Sequence, residues 1–395
     1  MEKQPWRNTT LLVAAACLLY ALSGGIRAIY GIIIGPLTQW TGIDYASASF
    51  AFGIAQLCYG LTQPLWGALV LRRGSRQVLL AGAFCLAAGL AVMPFVHSVE
   101  ALSLVLGVIM ASGTGALCFG LLMGAISPVL GREKASAASG VLNASSGIGG
   151  AILGPVFQGV TAAWDVRTSL LLLAGILAGT LPVIGWLTRY EKRKKEEVPA
   201  AADQKQQGVR DLFRFAFRTW TFRALMLGFS TCGFHMTIIQ THLVTQLETT
   251  GIPAAAAAWI YTGYSITTMV GSVLSGVLCL RFPLSWVLGS LYGVRVVTVG
   301  LFMFLLSPTP VLLTVFALLL GLTGDATVTP TSDIVSRRFG PAALGFLFGI
   351  TFVCHQVGAF VSSWLGTGSY GTLWLADALL CALAAGVSWT IKMEL

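Results

Sequence analysis

Three of the four histidines in this sequence, His235, His242 and His355, stand inside long apolar stretches, as do Arg27, Arg295 and Asp325. These residue types hold anions or exchange protons. An arginine guanidinium is a planar fork that takes a carboxylate through two parallel hydrogen bonds. A histidine changes charge near pH about 6.5, and burial favours the neutral form of an aspartate. An Arg or Asp at the middle of a membrane helix costs about 2.5–3.5 kcal/mol, so each needs a reason to be there. Spacing sorts them into stripes. Arg27, Tyr30 and Gly31 share one helical face, with Gly24 a turn earlier; Thr231, His235 and His242 share a second. Asp325, Thr329 and Ser332 form a third, and Thr351, His355, Gly358 and Ser362 a fourth. Residues at i, i+3, i+4 and i+7 stack on one side of a helix. Four polar faces on four apolar stretches predict a shared aqueous cavity.

Each of these residues also has a structural reading. Arg27 can form a pair between helices, His235 a hydrogen bond within packing, and His355 a bond to a neighbouring carbonyl. Asp325 can neutralise Arg295, which itself reads as structural. Asp333 and Asp377 lie nearer the ends of their stretches, and Phe50, Tyr59, Tyr261, Tyr264 and Phe352 read as helix packing.

The elements that carry these residues are set by composition. Of 395 residues, 56% are hydrophobic and 10% charged, with a mean hydropathy of +0.81. Soluble domains carry about 25% charged residues, so this chain cannot cover a water-facing surface of ordinary size. Its 46 glycines and 14 prolines follow no collagen period; membrane helices tolerate them because neighbouring helices re-satisfy the backbone. The net charge of +9 falls in short clusters between apolar runs, without interleaved aromatics. That is a topology signal and not a nucleic-acid surface. The eight cysteines lie in apolar runs with no CxxC pair, which reads as packing and not as a zinc or disulfide framework.

A membrane span needs about 20 mostly apolar residues. Twelve such stretches are readable, at about 10–37, 45–71, 77–96, 101–130, 135–160, 168–188, 222–248, 254–280, 285–306, 310–336, 341–366 and 371–391. Lys3 and Arg7 precede the first, which reads as a retained helix because further spans follow. With the N-terminus cytoplasmic, only Arg167 of the 24 Lys and Arg falls in an outward loop, and only Arg27 and Arg295 deep inside spans. This positive-inside bias puts both termini in the cytoplasm. The polar segment Arg189–Arg223, opening with the charge run Glu191–Glu197, follows the sixth span and reads as a solvated linker, with a lipid-headgroup or regulatory contact as the sharper alternative. The expected organisation is a six-helix half over 1–188, a basic linker over 189–221 and a second six-helix half over 222–395. The halves resemble each other: Gly67–Arg72 ends span 2 and Gly276–Arg281 ends span 8, while Ser127, Arg132 and Gly140 recur as Ser332, Arg337 and Gly345. Repeats of this kind place a transporter's site at the midplane between them.

Gly67-Ala-Leu-Val-Leu-Arg-Arg-Gly-Ser-Arg76 resembles the signature between spans 2 and 3 of the major facilitator superfamily, with Leu71 where an acidic residue is usual. Gly150-Ala-Ile-Leu-Gly-Pro155, followed by Gln158-Gly159, is similar to that family's Gly-Pro motif on span 5. Gly25-Ile-Arg27 with Tyr30-Gly31, Cys232-Gly-Phe-His235 with Thr241-His242-Leu243, and Cys354–Phe360 resemble the bacterial branch related to monocarboxylate and oxalate/formate carriers. The resemblance implies an all-α membrane protein with twelve transmembrane helices in two six-helix pseudo-repeats. It implies that spans 1, 4, 7 and 10 line the cavity, that 2, 5, 8 and 11 flank it, and that 3, 6, 9 and 12 are outer scaffold. On that map Arg27, His235, His242 and Asp325 line, His355 flanks, and Arg295 lies outside.

The expected function is secondary active transport of a small organic anion, a monocarboxylate first, by proton-coupled alternating access. Arg27, Tyr30, His235, His242 and His355 are the expected substrate contacts, with Asp325 or His235 exchanging the proton. Proton-antiport efflux of drugs or metabolites is the alternative, motivated by the span 5 motif. A non-transporting sensor has no positive feature. The chain lacks the phosphate-binding loop, the dinucleotide fingerprint, HExxH and GxSxG, so no enzyme activity, cofactor or metal is expected. The expected partners are an anionic small molecule, protons and the lipid bilayer. Nucleic acid is not among them, and the chain is expected to work as a monomer in a bacterial inner membrane.

Overall fold

The computed structural model describes residues 5–189, 208–302, 309–365 and 370–392, and all regular structure among them is helical. The linker expected over 189–221, with its charge run, lies outside the described residues between 190 and 207. The first half contains α1 (Pro5–Ala28), α2 (Tyr30–Thr41), α3 (Tyr45–Arg73), α4 (Ser75–Val92), α5 (Val99–Leu104), α6 (Ala111–Ala116), α7 (Phe119–Ala163), α8 (Val166–Ala178) and α9 (Leu181–Leu187). After the linker come α10 (Val209–Arg218), α11 (Trp220–Thr249), α12 (Ala254–Arg281), α13 (Leu284–Gly300), α14 (Pro310–Thr323), α15 (Val328–Phe339), α16 (Leu344–Leu365) and α17 (Tyr370–Trp389). By length and composition, ten helical stretches among the described residues can cross a membrane. The shorter apolar α13 and the long α3, richer in Ser, Thr and Gln, complete the twelve expected. Helices suit this composition because every backbone group within a bilayer must find its partner inside the protein.

The spans are less regular than their hydropathy. Span 1, read as continuous over 10–37, breaks at Ile29, whose φ of −93° and ψ of 10° end one helix and begin the next. Glycines 24, 25, 31 and 35 and Pro36 crowd this stretch, and all are poor helix formers. Spans 4 and 5 run on as α7 with one non-helical residue, Gly131, at φ 75°. Only glycine enters that region without a steric penalty, so the expected loop shrinks to a kink. Gly74, at φ 84°, turns the chain between α3 and α4 in the same way. Span 10 breaks at Gly324 into a 3-10 turn, Asp325–Thr327, before α15 resumes.

The helices group into two compact units. The first comprises Met1–Ala135, Ser145–Val209 and Pro341–Gly349; the second comprises Ser136–Ala144, Arg210–Gly340 and Ile350–Leu395. In the first, α1 meets α7 through small residues: a Cβ on Gly24 would collide with Ser146, and one on Gly25 with Gly149 and Gly150. In the second, a Cβ on Gly271 would collide with the Leu322 carbonyl, and one on Gly140 with the Ser272 carbonyl. Close approach through small residues is how helices associate in lipid, where water supplies no hydrophobic force between them.

Candidate functional site

In the first unit a polar cluster gathers around Arg27. Arg27 lies in the last turn of α1, where the unpaired carbonyls of a helix C-terminus favour a cation. Its guanidinium sits over the ring of Tyr59 at 4.7 Å and donates from Nη1 to Gln56 Oε1 at 3.4 Å. Tyr30, just past the helix break, meets the Phe52 ring edge-on at 5.0 Å. Phe52, Gln56 and Tyr59 are spaced i, i+4 and i+7 on α3, so one face of span 2 receives both residues. Arg27 is half-buried and Tyr30 buried.

Among the described residues of the second unit, polar side chains gather around His235, around Arg295 and around His355. His235 on α11 and Asp377 on α17 are both fully buried, with Nδ1 and Oδ2 2.8 Å apart. They form an ion pair when the ring is protonated, and a hydrogen bond sharing one proton otherwise. Trp374 lies edge-on to the His235 ring at 6.4 Å and donates from Nε1 to Gln246 Oε1 at 2.8 Å. His242 approaches the Tyr370 ring at 6.3 Å. One face of α11 (235, 242, 246) thus lies against one face of α17 (370, 374, 377). The imidazole of His235 points toward span 12. The physical reason is Asp377, a buried acid that would otherwise lack a cationic partner. Cys381 Sγ stands 3.7 Å from Asp377 Oδ1, and ligand atoms of His235, Asp377 and Cys381 all fall within 4.8 Å of one another. Three donors are one short of a closed structural zinc site, and two of them are already bonded to each other, which makes the group a hydrogen-bonded cluster.

A second cluster mends the break in span 10. Arg295 Nη2 donates to the carbonyls of Thr323 at 2.6 Å and Gly324 at 2.7 Å, and the guanidinium carbon lies 5.2 Å from the centroid of the Tyr292 ring. Arg295 thus acts as a clamp on backbone. Pro330 has no N–H to give to Ala326, four residues earlier; Ser275 Oγ donates to that carbonyl instead, at 2.6 Å. Asn143 Nδ2 donates to the Asp325 carbonyl at 2.9 Å. The bonds from Arg295 and Ser275 serve carbonyls at the break in a membrane helix, while the Asp325 carbonyl also accepts from the Val328 N–H of the 3-10 turn. The break also interrupts the stripe expected from Asp325 through Thr329 to Ser332. Beyond it, Ser136 Oγ donates to Asp333 Oδ2, with Arg337 Nη2 3.8 Å from the same oxygen.

The third cluster surrounds His355. Phe352 stacks on its ring at 4.9 Å and Phe229 lies at 5.3 Å, while Nδ1 is 3.2 Å from Gln356 Oε1. The backbone is equally close: a Cβ on Gly233 would collide with the His355 carbonyl, and one on Gly358 with that of Ser230. Sequence reasoning passed over Gln56 and Asp377 as partners. The i, i+4, i+7 spacing of Phe52, Gln56 and Tyr59 was the available signal for the first. For Asp377, the signal was a lone acid in an apolar stretch.

The sequence model of the family described as Major Facilitator Superfamily matches residues 16–249. The chain belongs to the Major Facilitator Superfamily. Among curated relatives, it is 24% identical to the uncharacterised MFS-type transporter YcxA of Bacillus subtilis (strain 168), covering 91% of this chain and 88% of that one. It is 26% identical to Monocarboxylate transporter 12-B of Danio rerio, over 91% and 82%. Among solved structures, a bacterial homologue of the iron transporter ferroportin in its outward-facing state superposes with a TM-score of 0.78 at 15% identity, over 96% and 98%. The Escherichia coli fucose:proton symporter gives 0.72 at 15%, over 98% of both chains. The structural likeness shows the fold. The chain is therefore a multi-pass membrane transporter of this superfamily, related to monocarboxylate carriers.

Proposed function

We propose that this member of the Major Facilitator Superfamily carries a small monocarboxylate together with a proton, by alternating access. The observation that carries the reading is Arg27. Its guanidinium is held inside the first span by Gln56 and Tyr59, so its orientation is set before a ligand arrives. A fixed planar fork in a low-dielectric setting is the natural anchor for a carboxylate. The relatives named as monocarboxylate transporters support the same substrate class. Tyr30, His242 and His355 are the further candidates for substrate contact. The proton falls to the His235–Asp377 pair, where a proton is already shared between two side chains, or to Asp325. A buried ionisable pair within a span is expensive unless it works.

The division into halves 1–188 and 222–395 with a basic linker at 189–221, a bacterial inner membrane, cytoplasmic termini and a monomeric state complete the proposal; the distribution of Lys and Arg supports the placement of the termini. The test is accumulation of radiolabelled lactate, pyruvate, formate and oxalate in proteoliposomes, with and without an inward proton gradient. Gradient-driven uptake should fall at least tenfold in Arg27→Gln. Full uptake in that variant would remove Arg27 as the anchor. The second reading, proton-antiport efflux, had its support in the span 5 Gly-Pro stretch. Gly149 and Gly150 now have a packing reason against α1, which weakens that support. Export of a lipophilic cation in exchange for protons, with no flux of any acid, would restore it.

A further inference from the structure

We propose that α10 and the basic span ends beside it bind the headgroups of anionic phospholipids. The ten residues of α10, Val-Arg-Asp-Leu-Phe-Arg-Phe-Ala-Phe-Arg, divide cleanly into two sides. Arg210, Arg214 and Arg218 follow at i, i+4 and i+8 and make one stripe, and all three are exposed. None of the three has an ion pair or hydrogen bond among the described residues. Ala216 on the other side is fully buried.

The level of this helix is fixed by aromatic contacts. Phe215 and Phe222 both meet the Phe339 ring edge-on, at 6.2 and 5.8 Å, and Phe339 is the last residue of the span Pro310–Phe339. Trp220, the first residue of the span Trp220–Gln240, donates from Nε1 to Thr390 Oγ1 at 2.8 Å, one residue past the end of α17. Arg223 lies over the Trp220 ring at 5.7 Å. Three spans therefore end where α10 lies, and Arg337 and Arg338 are exposed at the end of one of them. At the same level Phe215, Phe217 and Trp220 are 54%, 46% and 48% exposed.

The unpaired guanidinium groups of Arg210, Arg214 and Arg218 beside exposed aromatic rings at the edge of a membrane match one surface, the boundary between phosphates and acyl chains. The rings sink toward the apolar side while the arginines reach the phosphates, which they grip through two bonds. A soluble acidic partner would satisfy the arginines and leave the rings exposed to water. Anionic lipid satisfies both.

The test uses the full chain in detergent, titrated with phosphatidylglycerol or phosphatidylcholine, with bound lipid counted by native mass spectrometry. The wild type should prefer phosphatidylglycerol. The triple variant Arg210→Gln, Arg214→Gln, Arg218→Gln should lose that preference by about fivefold per arginine at low salt. The matching triple Lys variant should keep most of it, and in the wild type about 0.5 M salt should weaken it through screening. Equal binding of both lipids by the wild type, or an unchanged preference in the triple Gln variant, would overturn the proposal. So would displacement of phosphatidylglycerol by an equal concentration of inorganic phosphate, which would make the surface a site for a free anion.

Discussion

The His235–Asp377 pair makes the sharpest prediction. Asp377→Asn keeps the shape of the side chain and removes its charge, leaving a fully buried imidazole with a neutral partner. Breaking a buried pair by removing one member costs about 3–5 kcal/mol, of which a hydrogen bond to a charged group accounts for about 1.5–3 kcal/mol. His235→Gln should cost a similar amount, because it strands the carboxylate against Cys381 and Trp374. The double variant has no isolated charge, so it should be less damaged than the two single losses added together. Independent sites add to within about 0.3–0.5 kcal/mol, so a coupling energy of about 1.5 kcal/mol is well resolved. The assay is a double-mutant cycle, unfolding the purified protein in mixed micelles by denaturant titration. Strictly additive losses would refute the reasoning, since they would mean that the 2.8 Å contact carries no energy.

Other positions give further expectations. Gly233→Ala places a methyl group against the His355 carbonyl and should cost about 1–3 kcal/mol by overpacking. Gly31→Ala meets open space and should stabilise by a few tenths to about 1 kcal/mol; unfolding titrations that rank the two the other way would contradict the α11–α16 contact. Arg295→Leu removes the guanidinium donor from the Thr323 and Gly324 carbonyls, leaving Gly324 only the weak Cys232 Sγ contact at 3.9 Å, at up to about 1–3 kcal/mol each, and Arg295→Lys should recover only part. Wild-type thermal stability in Arg295→Leu would rule out the clamp. Asp165 caps α8 through the Thr168 N–H at 2.6 Å, and chiefly that bond holds its carboxyl below the ordinary carboxylate range. A lowered folded value means the cap is fully effective above the unfolded value of about 3.9 and fades as pH falls through the folded one. Asp165→Ala should therefore lower the melting temperature at pH 7, with the gap closing in acid; a gap that persists undiminished would contradict the charged cap.

Much of the architecture was legible because bilayer physics leaves few choices. Apolar length and the side preference of Lys and Arg identify spans directly. The breaks at Ile29 and Gly324 were not legible. Hydropathy averages over about 20 residues and cannot see a carbonyl that loses its donor. What makes the second break tolerable is Arg295, 29 residues away from Gly324 in sequence. The stripe on span 1 put Arg27 and Tyr30 together on a continuous helix; in the structure the helix breaks between them at Ile29, and both meet α3, at residues that follow helical spacing. The stripe on span 7 identified His235 but not its partner, since periodicity gives a face and never what lies opposite. Asp377 needed the packing of α11 on α17.

The most direct test of proton-linked carboxylate transport is a pH-sensitive dye sealed inside proteoliposomes, with lactate or pyruvate added outside and no imposed gradient. The account predicts acidification of the lumen faster than in protein-free vesicles, carried by the wild type and lost in Arg27→Gln; loss in Asp377→Asn or in Asp325→Asn says which of the two sites carries the proton. Rapid acid uptake by the wild type without any acidification beyond the protein-free rate would contradict it.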